Sequence, residues 1–349
     1  MKKLFKVLVV LILSVTVFGC SGEKKEQLKV YSPGVYIDPS VITEFEEKYN
    51  CDVIYDNFDS NEQMYTKLMG GESYDILVPS DYMIERLIAE DQLQQLDLTK
   101  VSNFSGLISG ITNLPYDPGN QYSVPYFWGN VGLLYNTTTV DQNDLETEGW
   151  NILADTKYQG KIFIYDSERD AFMVALKALG YSMNTTNEDE IQAAYEWLAN
   201  VNDTMSPVYV LDDSIDAMIA GNKDIAVMYS GDAAYITSEN EDMSYYTPNE
   251  GTNLWVDGMV ITKDSQAVEL AYEWINFMLS DDIAARNSSY VGYTSPIQSI
   301  YDEMSGVGGE YEGNIAYSPR LGHINDEMFK NNEAVRKEIA DLWTRIKSS

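Results

Sequence analysis

The chain has 349 residues, a formal net charge of −32 at pH 7 and a composition that is 44% hydrophobic and 12% aromatic. The length suggests roughly two domains, and so many apolar side chains suffice for buried cores and exclude a disordered chain. The strong negative charge argues against binding to nucleic acid or to anionic lipid headgroups, and it favours cationic partners.

The first 27 residues indicate export followed by attachment to a membrane surface. Three lysines lie within the first six residues, and an apolar run then ends at Gly19-Cys20. This order is typical of a signal peptide, and the run is shorter than the roughly 20 residues that span a bilayer. A cysteine after a small residue resembles a bacterial lipobox, which predicts a signal peptide at 1–19 and a lipid anchor on Cys20 with a tether at 20–27. We expect an exported lipoprotein at the cell membrane or in the periplasm; an ordinary signal peptide or an uncleaved anchor is the alternative.

Few residues are suited to metal binding or to disulfides. Lipidation of Cys20 would leave Cys51 alone, so no internal disulfide is expected. One histidine, His323, and no paired cysteines provide no zinc site. We predict neither a metal centre nor a cofactor.

After the tether, strand and helix patterns alternate. Hydrophobic periodicity predicts strands at 28–31, 51–56 and 74–78, and helices at 39–49, 61–69 and 82–90. This order predicts an α/β domain with a largely parallel sheet. Ligands of such sheets bind at the carboxyl ends of the strands, so we expect a site in the loops after Tyr31 and at Ser80.

A second unit repeats the alternation. Strands are predicted at 130–136, 161–165, 207–211, 224–229 and 254–261, and helices at 170–179, 188–198, 214–220, 267–279 and 331–347, with a short helix after Gly231. Two α/β lobes linked by two crossing strands would form a hinged cleft. We predict lobe 1 at 28–129 and 257–299, and lobe 2 at 130–256 and 300–349.

Eight segments, in the same order, are similar to those of a known protein family. They lie at 58–68, 74–82, 116–120, 123–129, 175–182, 254–257, 275–279 and 291–296, and they include YDILVPSDY, SVPYFWG and VGYTSP. Together they resemble the spermidine/putrescine-binding proteins of bacterial ABC importers, from about residue 29 to the end. The resemblance implies a type II periplasmic solute-binding fold: two lobes, each a mainly parallel sheet flanked by helices, with two crossover strands at the hinge. It also implies a receptor, expected here as a monomer, that captures a polyamine and delivers it to a permease driven by an ATPase.

The resemblance also implies a site of aromatic walls with carboxylates at its ends. Position by position, the implied ligand-binding residues are Tyr36, Ser80, Tyr82, Ser167, Asp170, Tyr229, Trp255, Asp257 and Tyr293, with Asp81 and Trp128 as two further candidates. Aromatic faces attract the ammonium groups and contact the methylenes of a polyamine, and carboxylates accept charge-assisted hydrogen bonds from its ends.

The first loop departs from the family pattern. Pro33 stands where the family usually has tryptophan, and Val35 stands where it usually has an acid. Elsewhere, Tyr229 replaces a tryptophan and Asp170 replaces a glutamate. Our hypothesis is that the site takes a smaller or less charged amine than spermidine, unless Asp81 substitutes for the missing acid.

Each of these residues also has a purely structural interpretation. Trp255 and Tyr293 could be core aromatics, and Asp170 and Ser80 could be helix caps. For the whole protein, the main alternative is a same-fold receptor for a different organic cation; a tyrosine-based receptor for ferric iron and an adhesive or structural surface lipoprotein are others. An enzyme is not predicted, since the chain has no nucleophile elbow, phosphate loop or zinc-protease motif.

Overall fold

A computed structural model describes residues 25–211 and 214–348. The predicted signal peptide and the lipid-anchor position Cys20 lie outside the described residues. Within these residues, no helix combines the length and the apolar character that crossing a membrane requires.

The described chain folds into strands and helices that alternate along most of its length. The strands are β1 (Glu26–Pro33), β2 (Cys51–Phe58), β3 (Ile76–Leu77), β4 (Ser123–Asn136), β5 (Ile162–Tyr165), β6 (Val208–Val210), β7 (Ile225–Tyr229), β8 (Met243–Tyr246) and β9 (Leu254–Ile261). The helices are α1 (Pro39–Tyr49), α2 (Asn61–Met69), α3 (Asp81–Ala89), α4 (Gln142–Glu148), α5 (Glu168–Ala178), α6 (Glu188–Met205), α7 (Ser214–Ile219), α8 (Ser230–Glu239), α9 (Val268–Met278), α10 (Asp281–Val291), α11 (Gln298–Ser305) and α12 (Glu333–Ser348).

These strands join in the order β2-β1-β3-β9-β4-β7-β5-β6, with β8 paired to β4. The outer pairs β1–β2, β1–β3, β5–β6 and β5–β7 are parallel, as expected where helices connect consecutive strands. The pairs that β4 and β9 make are antiparallel. The result is the mixed α/β architecture that the sequence predicts.

Strand β4 carries the chain from one half of the sheet to the other. Residues 123–130 pair with β9, whereas residues 131–136 pair with β7 and β8. We call β2, β1, β3 and β9 the first half-sheet, and β7, β5, β6 and β8 the second half-sheet. The boundaries of the two lobes stay predictions. Among the last helices, α11 packs beside α10, whereas α12 packs on α5 and α6.

Several boundaries differ from the sequence-based expectation. Strand β1 begins at Glu26, inside the predicted tether, because Glu26 and Gln27 already pair with Cys51 and Asp52. Strand β4 begins at Ser123 rather than at 130, since its first half is needed to pair with β9. Helices α4, α10 and α11 and strand β8 were not predicted.

The C-terminal helix α12 is held on the second half-sheet side, as its amphipathic pattern predicts. Leu342, Trp343 and Ile346 are buried against α5 and α6. The segment before it is fixed by a partly buried ion pair, in which the ammonium group of Lys177 contacts the Glu327 carboxylate and donates to the Asn325 carbonyl at 2.7 Å. This packing orients α5, whose first turn lies at the candidate site.

Candidate functional site

Four aromatic rings form a continuous chain between the two half-sheets. The ring centroids of Tyr36 and Tyr293 lie 5.5 Å apart, those of Tyr293 and Trp255 5.3 Å, and those of Trp255 and Tyr229 6.2 Å. Tyr36 follows β1, Tyr229 ends β7, Trp255 lies in β9 and Tyr293 follows α10. Elements that are distant in sequence therefore place four of the predicted aromatic residues in one group.

Strand geometry places Trp255 and Asp257 on the same face of the sheet. Side chains of a strand alternate between faces, so residues two apart point the same way. Opposite them on β4 lie Gly129 and Phe127. A Cβ atom at position 129 would come within 2.5 Å of the Trp255 ring, so a glycine is required for the indole to lie against β4.

A second glycine admits the Tyr293 ring. At Gly231, in the first turn of α8, a Cβ atom would lie 1.3 Å from Cδ1 of Tyr293. The ring would have to move by much more than a few tenths of an ångström to make room for this Cβ atom. Tyr293 can complete the chain of rings only because position 231 has no side chain.

Asp257 lies at one end of this chain of rings. Its Oδ2 atom accepts a hydrogen bond from the Tyr36 hydroxyl, while its Oδ1 atom is buried without a partner. The side chain is 7% exposed. Burial raises the pKa of Asp257 to about 6, although the nearby Ser80 hydroxyl and the hydrogen bond from Tyr36 favour the carboxylate.

Asp170 lies at the other end, in the first turn of α5. Its Oδ2 atom accepts a hydrogen bond of 2.7 Å from the Tyr229 hydroxyl, and its Oδ1 atom is buried without a partner. Burial raises the pKa of Asp170, against the hydrogen bond from Tyr229, the nearby Ser167 hydroxyl and the charge of Arg169. Asp170 is not the helix cap, because the Ser167 hydroxyl occupies that position and accepts from the Asp170 backbone N–H at 3.3 Å.

The indole N–H of Trp255 is the third buried polar group around the rings that has no partner. A buried polar atom without a hydrogen bond costs about 1–3 kcal/mol, so native proteins keep few of them. Within the described residues, two carboxylate oxygens and one N–H are thus left open around the rings. Such an arrangement is suited to a guest that brings positive charge to both ends of an aromatic wall.

Comparisons with known proteins agree with a binding site of this kind. A family model described as bacterial extracellular solute-binding protein matches residues 40–312. The spermidine/putrescine-binding periplasmic protein of Escherichia coli K12 is 31% identical over 277 residues, which cover 79% of each chain. This chain belongs to the bacterial extracellular solute-binding protein family.

Solved structures support the same assignment of this solute-binding protein. PotD of Streptococcus pneumoniae, described as a spermidine/putrescine ABC transporter substrate-binding protein, superposes with a TM-score of 0.79 and 35% identity, over 93% of this chain and 99% of that one. The TpPotD lipoprotein of Treponema pallidum superposes with a TM-score of 0.79 and 25% identity, over 92% and 99% of the two chains. The predicted periplasmic-binding-protein-like fold is confirmed, and the family is one of solute receptors rather than enzymes.

Tyr82 lies beside the chain of rings rather than in it. The Arg169 guanidinium stacks over its ring at 3.9 Å from the centroid, and its hydroxyl donates to Glu62 at 3.3 Å. Arg169 also pairs with Glu62 at 3.4 Å. Since Arg169 comes from α5 while Tyr82 and Glu62 come from α3 and α2, this contact joins the two sides of the solute-binding protein next to Asp170.

Ser80 and Asp81 lie behind the Asp257 end. The Ser80 side chain does not cap α3; its hydroxyl accepts from Asn61 at 3.0 Å and stabilises the Asp257 carboxylate. Asp81 accepts from the backbone N–H groups of Tyr82 and Val256 at 2.6 and 3.3 Å. Burial, together with the charge of Asp257, raises the pKa of Asp81 well above its usual range. Asp81 therefore supports the site from behind, with both oxygens occupied.

Two residues singled out in the sequence lie away from the rings. Trp128 alternates with the site-facing positions of β4, so its indole points to the opposite face and donates to the Ser295 carbonyl at 3.1 Å. The structure therefore places Trp128 away from the rings, and its role as a further candidate for ligand binding stays a prediction. Val35 is 74% exposed on a turn with φ of 49°, so it also faces away from the buried group.

Phe127 and Arg169 are parts of the site that sequence reasoning missed. The Phe127 ring packs 5.2 Å from Tyr36 and 6.0 Å from Tyr293. Its position opposite Asp257 depends on the register of β4 with β9, which no local pattern shows. Arg169 could have been noticed as a cation adjacent to Asp170.

The phenols of the site do not favour a ferric centre. Burial raises the pKa of Tyr36 and of Tyr229 well above the usual range, so both stay protonated at neutral pH. Each phenol donates a hydrogen bond to a carboxylate. Within the two described segments, no group of three or more His, Cys, Asp or Glu side chains is placed to hold a metal ion.

The open carboxylate oxygen of Asp257 has a consequence for stability. The pKa of Asp257 is raised from 3.8 to about 6. Ionisation of Asp257 therefore destabilises the ligand-free fold, and this penalty is fully present above pH 6. It disappears as the pH falls towards 3.8, the pKa of the same group in the unfolded chain. We expect Asp257→Asn to raise the free energy of unfolding at pH 7.5 by about 1–3 kcal/mol, at about 1.4 kcal/mol per pKa unit. The gain should shrink at pH 4.5. Urea unfolding of ligand-free samples at both pH values measures it.

Asp203→Asn is the matched control, because Asp203 lies exposed on α6 and undergoes the same change of charge. It should leave the unfolding free energy unchanged at both pH values. A loss of stability in Asp257→Asn at pH 7.5 would contradict the view that the carboxylate is inadequately paired in the empty site.

Proposed function

We propose that this solute-binding protein captures a polyamine such as spermidine or putrescine outside the cytoplasm and delivers it to the permease of an ABC importer, which an ATPase drives. The observation that supports the ligand is the pair of buried carboxylates, Asp257 and Asp170, each with one open oxygen, at the two ends of a chain of aromatic rings. Relatives that align over most of the chain are described as binding spermidine and putrescine.

The chemistry of the site suits such a ligand. Each open carboxylate oxygen can accept a charge-assisted hydrogen bond from an ammonium group. The faces of Trp255, Tyr229 and Tyr293 can contact the methylenes between the ammonium groups and attract their charge, at about 0.5–2 kcal/mol per contact. The N–H of Trp255 needs an acceptor, which a water molecule that accompanies the ligand can supply.

We propose that the protein works by closing around its ligand. Asp257 belongs to the first half-sheet and Asp170 to the helix that leads from β5, so a bound diammonium chain would tie both sides together. The contacts of Arg169 with Tyr82 and Glu62 would form as the sides meet. The ligand stabilises the closed form only as far as it binds that form better than the open one.

We also propose that the chain is a monomer held at the cell membrane by a lipid on Cys20. The residues up to Cys20 support the lipid anchor, and a relative of similar fold is described as a lipoprotein. In cells fed labelled palmitate, the wild-type protein should carry label and sediment with membranes, and Cys20→Ser should do neither. Equal labelling of the two proteins would contradict the anchor.

Isothermal titration calorimetry tests the proposed ligand directly. We expect one-to-one binding of a polyamine to the ligand-free protein, and a loss of affinity of about 30-fold or more in Asp257→Asn, because removing one partner of a buried charge pair costs at least about 2 kcal/mol. Asp203→Asn should bind as the wild type does. Lysine and thiamine serve as competitors of other classes. Tight binding of one of them without any binding of a polyamine would replace the proposed ligand by another organic cation.

Binding should also depend on pH. An ammonium group binds the ionised form of Asp257, whose pKa in the empty site is raised to about 6. The affinity should therefore fall as the pH drops through 6, and it should be roughly tenfold lower at pH 5 than at pH 7.5. Titrations near pH 6 in buffers of different ionisation enthalpy should show proton release. An affinity that stays constant from pH 7.5 to pH 5 would exclude Asp257 as an ammonium partner.

A further inference from the structure

We propose that the site selects a ligand with two ammonium groups over one with three, so that its preferred substrates are linear diamines rather than triamines. This inference rests on the proposed polyamine function and narrows it. Its basis is the number of negative charges that the buried site leaves open.

Two carboxylate oxygens are open within the described part of the chain around the rings. They are Oδ1 of Asp257 and Oδ1 of Asp170, and both residues are at least nine-tenths buried. The second oxygen of Asp257 accepts a hydrogen bond from the Tyr36 phenol, and that of Asp170 accepts one from the Tyr229 phenol. The geometry thus offers one anionic contact at each end of the aromatic wall.

The neighbouring carboxylates already have partners. Asp81 uses its two oxygens for the backbone N–H groups of Tyr82 and Val256. Glu62 pairs with Arg169 at 3.4 Å, and Asp232 accepts a hydrogen bond from Tyr293 at 3.2 Å. None of these is left over to neutralise a third ammonium group between the two ends. A buried charge without a counter-charge is strongly disfavoured.

Arg169 offers no anionic contact at the Asp170 end. Its guanidinium is held over Tyr82 at 3.9 Å, and its charge acts on the adjacent Asp170 carboxylate. Its partner Glu62, at 3.4 Å, is already used to offset that charge. An additional ammonium group at this end would therefore meet an ion pair that supplies no net negative charge. The absence of a third open carboxylate acts against a triamine.

Competition calorimetry on the full-length protein tests the charge count. We expect putrescine or cadaverine to bind about tenfold more tightly than spermidine, which corresponds to about 1.4 kcal/mol. Two acetylated probes separate charge from length. Acetylputrescine keeps the diamine backbone but loses one charge, and it should bind at least about tenfold more weakly than putrescine. A monoacetylspermidine keeps the triamine backbone with two charges, and it should bind more tightly than spermidine.

A variant with one added charge provides the converse test. Ser167→Asp preserves the cap of α5, since aspartate caps helices as well as serine does. It places a further carboxylate one turn from Asp170, and it should raise the affinity for spermidine relative to putrescine. Asp203→Asn should leave the ratio of the two affinities unchanged.

The outcomes distinguish this inference from the function on which it rests. Spermidine binding that equals or exceeds diamine binding would overturn the diamine preference and leave the polyamine function standing. If spermidine binds weakly and monoacetylspermidine binds no better, the number of ammonium groups is not the cause of the weak binding, and the inference is overturned. If neither diamines nor spermidine bind to a folded, ligand-free sample, the proposed function itself fails.

Discussion

The arrangement of the site depends on one costly feature, the burial of carboxylates that keep an open oxygen. Asp257 and Asp170 are each held by one phenol and exposed to almost no solvent. A protein under selection for stability alone would pair or replace such groups, because a buried carboxylate that is incompletely paired destabilises the fold. That both occur at the ends of the same chain of rings indicates that the missing partner is a cation from outside. The incompletely paired carboxylates lower the stability of the ligand-free protein, and a bound cation that pairs with them restores this free energy on binding.

The sheet explains how residues so far apart in sequence meet. Strand β9 places Trp255 and Asp257 on one face by the alternation of side chains, and its antiparallel pairing with β4 brings Gly129 opposite the indole. The same β4 continues into the second half-sheet, where β7 ends at Tyr229. The rings therefore bridge the place where the sheet changes from one half to the other. A ligand bound there contacts both sides, which is the requirement for a receptor that closes on its solute.

Much of this could be predicted from the sequence, and the limits have identifiable causes. Asp257 is predictable because it is the one charged residue in an otherwise apolar strand, Leu254–Ile261, where a carboxylate needs a partner. Asp170 could not be separated from a helix cap until the structure placed the Ser167 hydroxyl on the first turn. The side of the sheet on which Trp128 lies could not be foreseen, because it depends on a register between residues about 130 positions apart. Local periodicity contains no information on such a register, and for the same reason the packing of Phe127 on Tyr36 was not foreseen.

The most direct test of the central claim is a crystal structure of the protein with bound putrescine. The account predicts one ammonium nitrogen within hydrogen-bond distance of Asp257 Oδ1 and the other within hydrogen-bond distance of Asp170 Oδ1, with the methylenes lying along Trp255 and Tyr229. A diamine that leaves either oxygen without a partner, or that binds away from these rings, would contradict it.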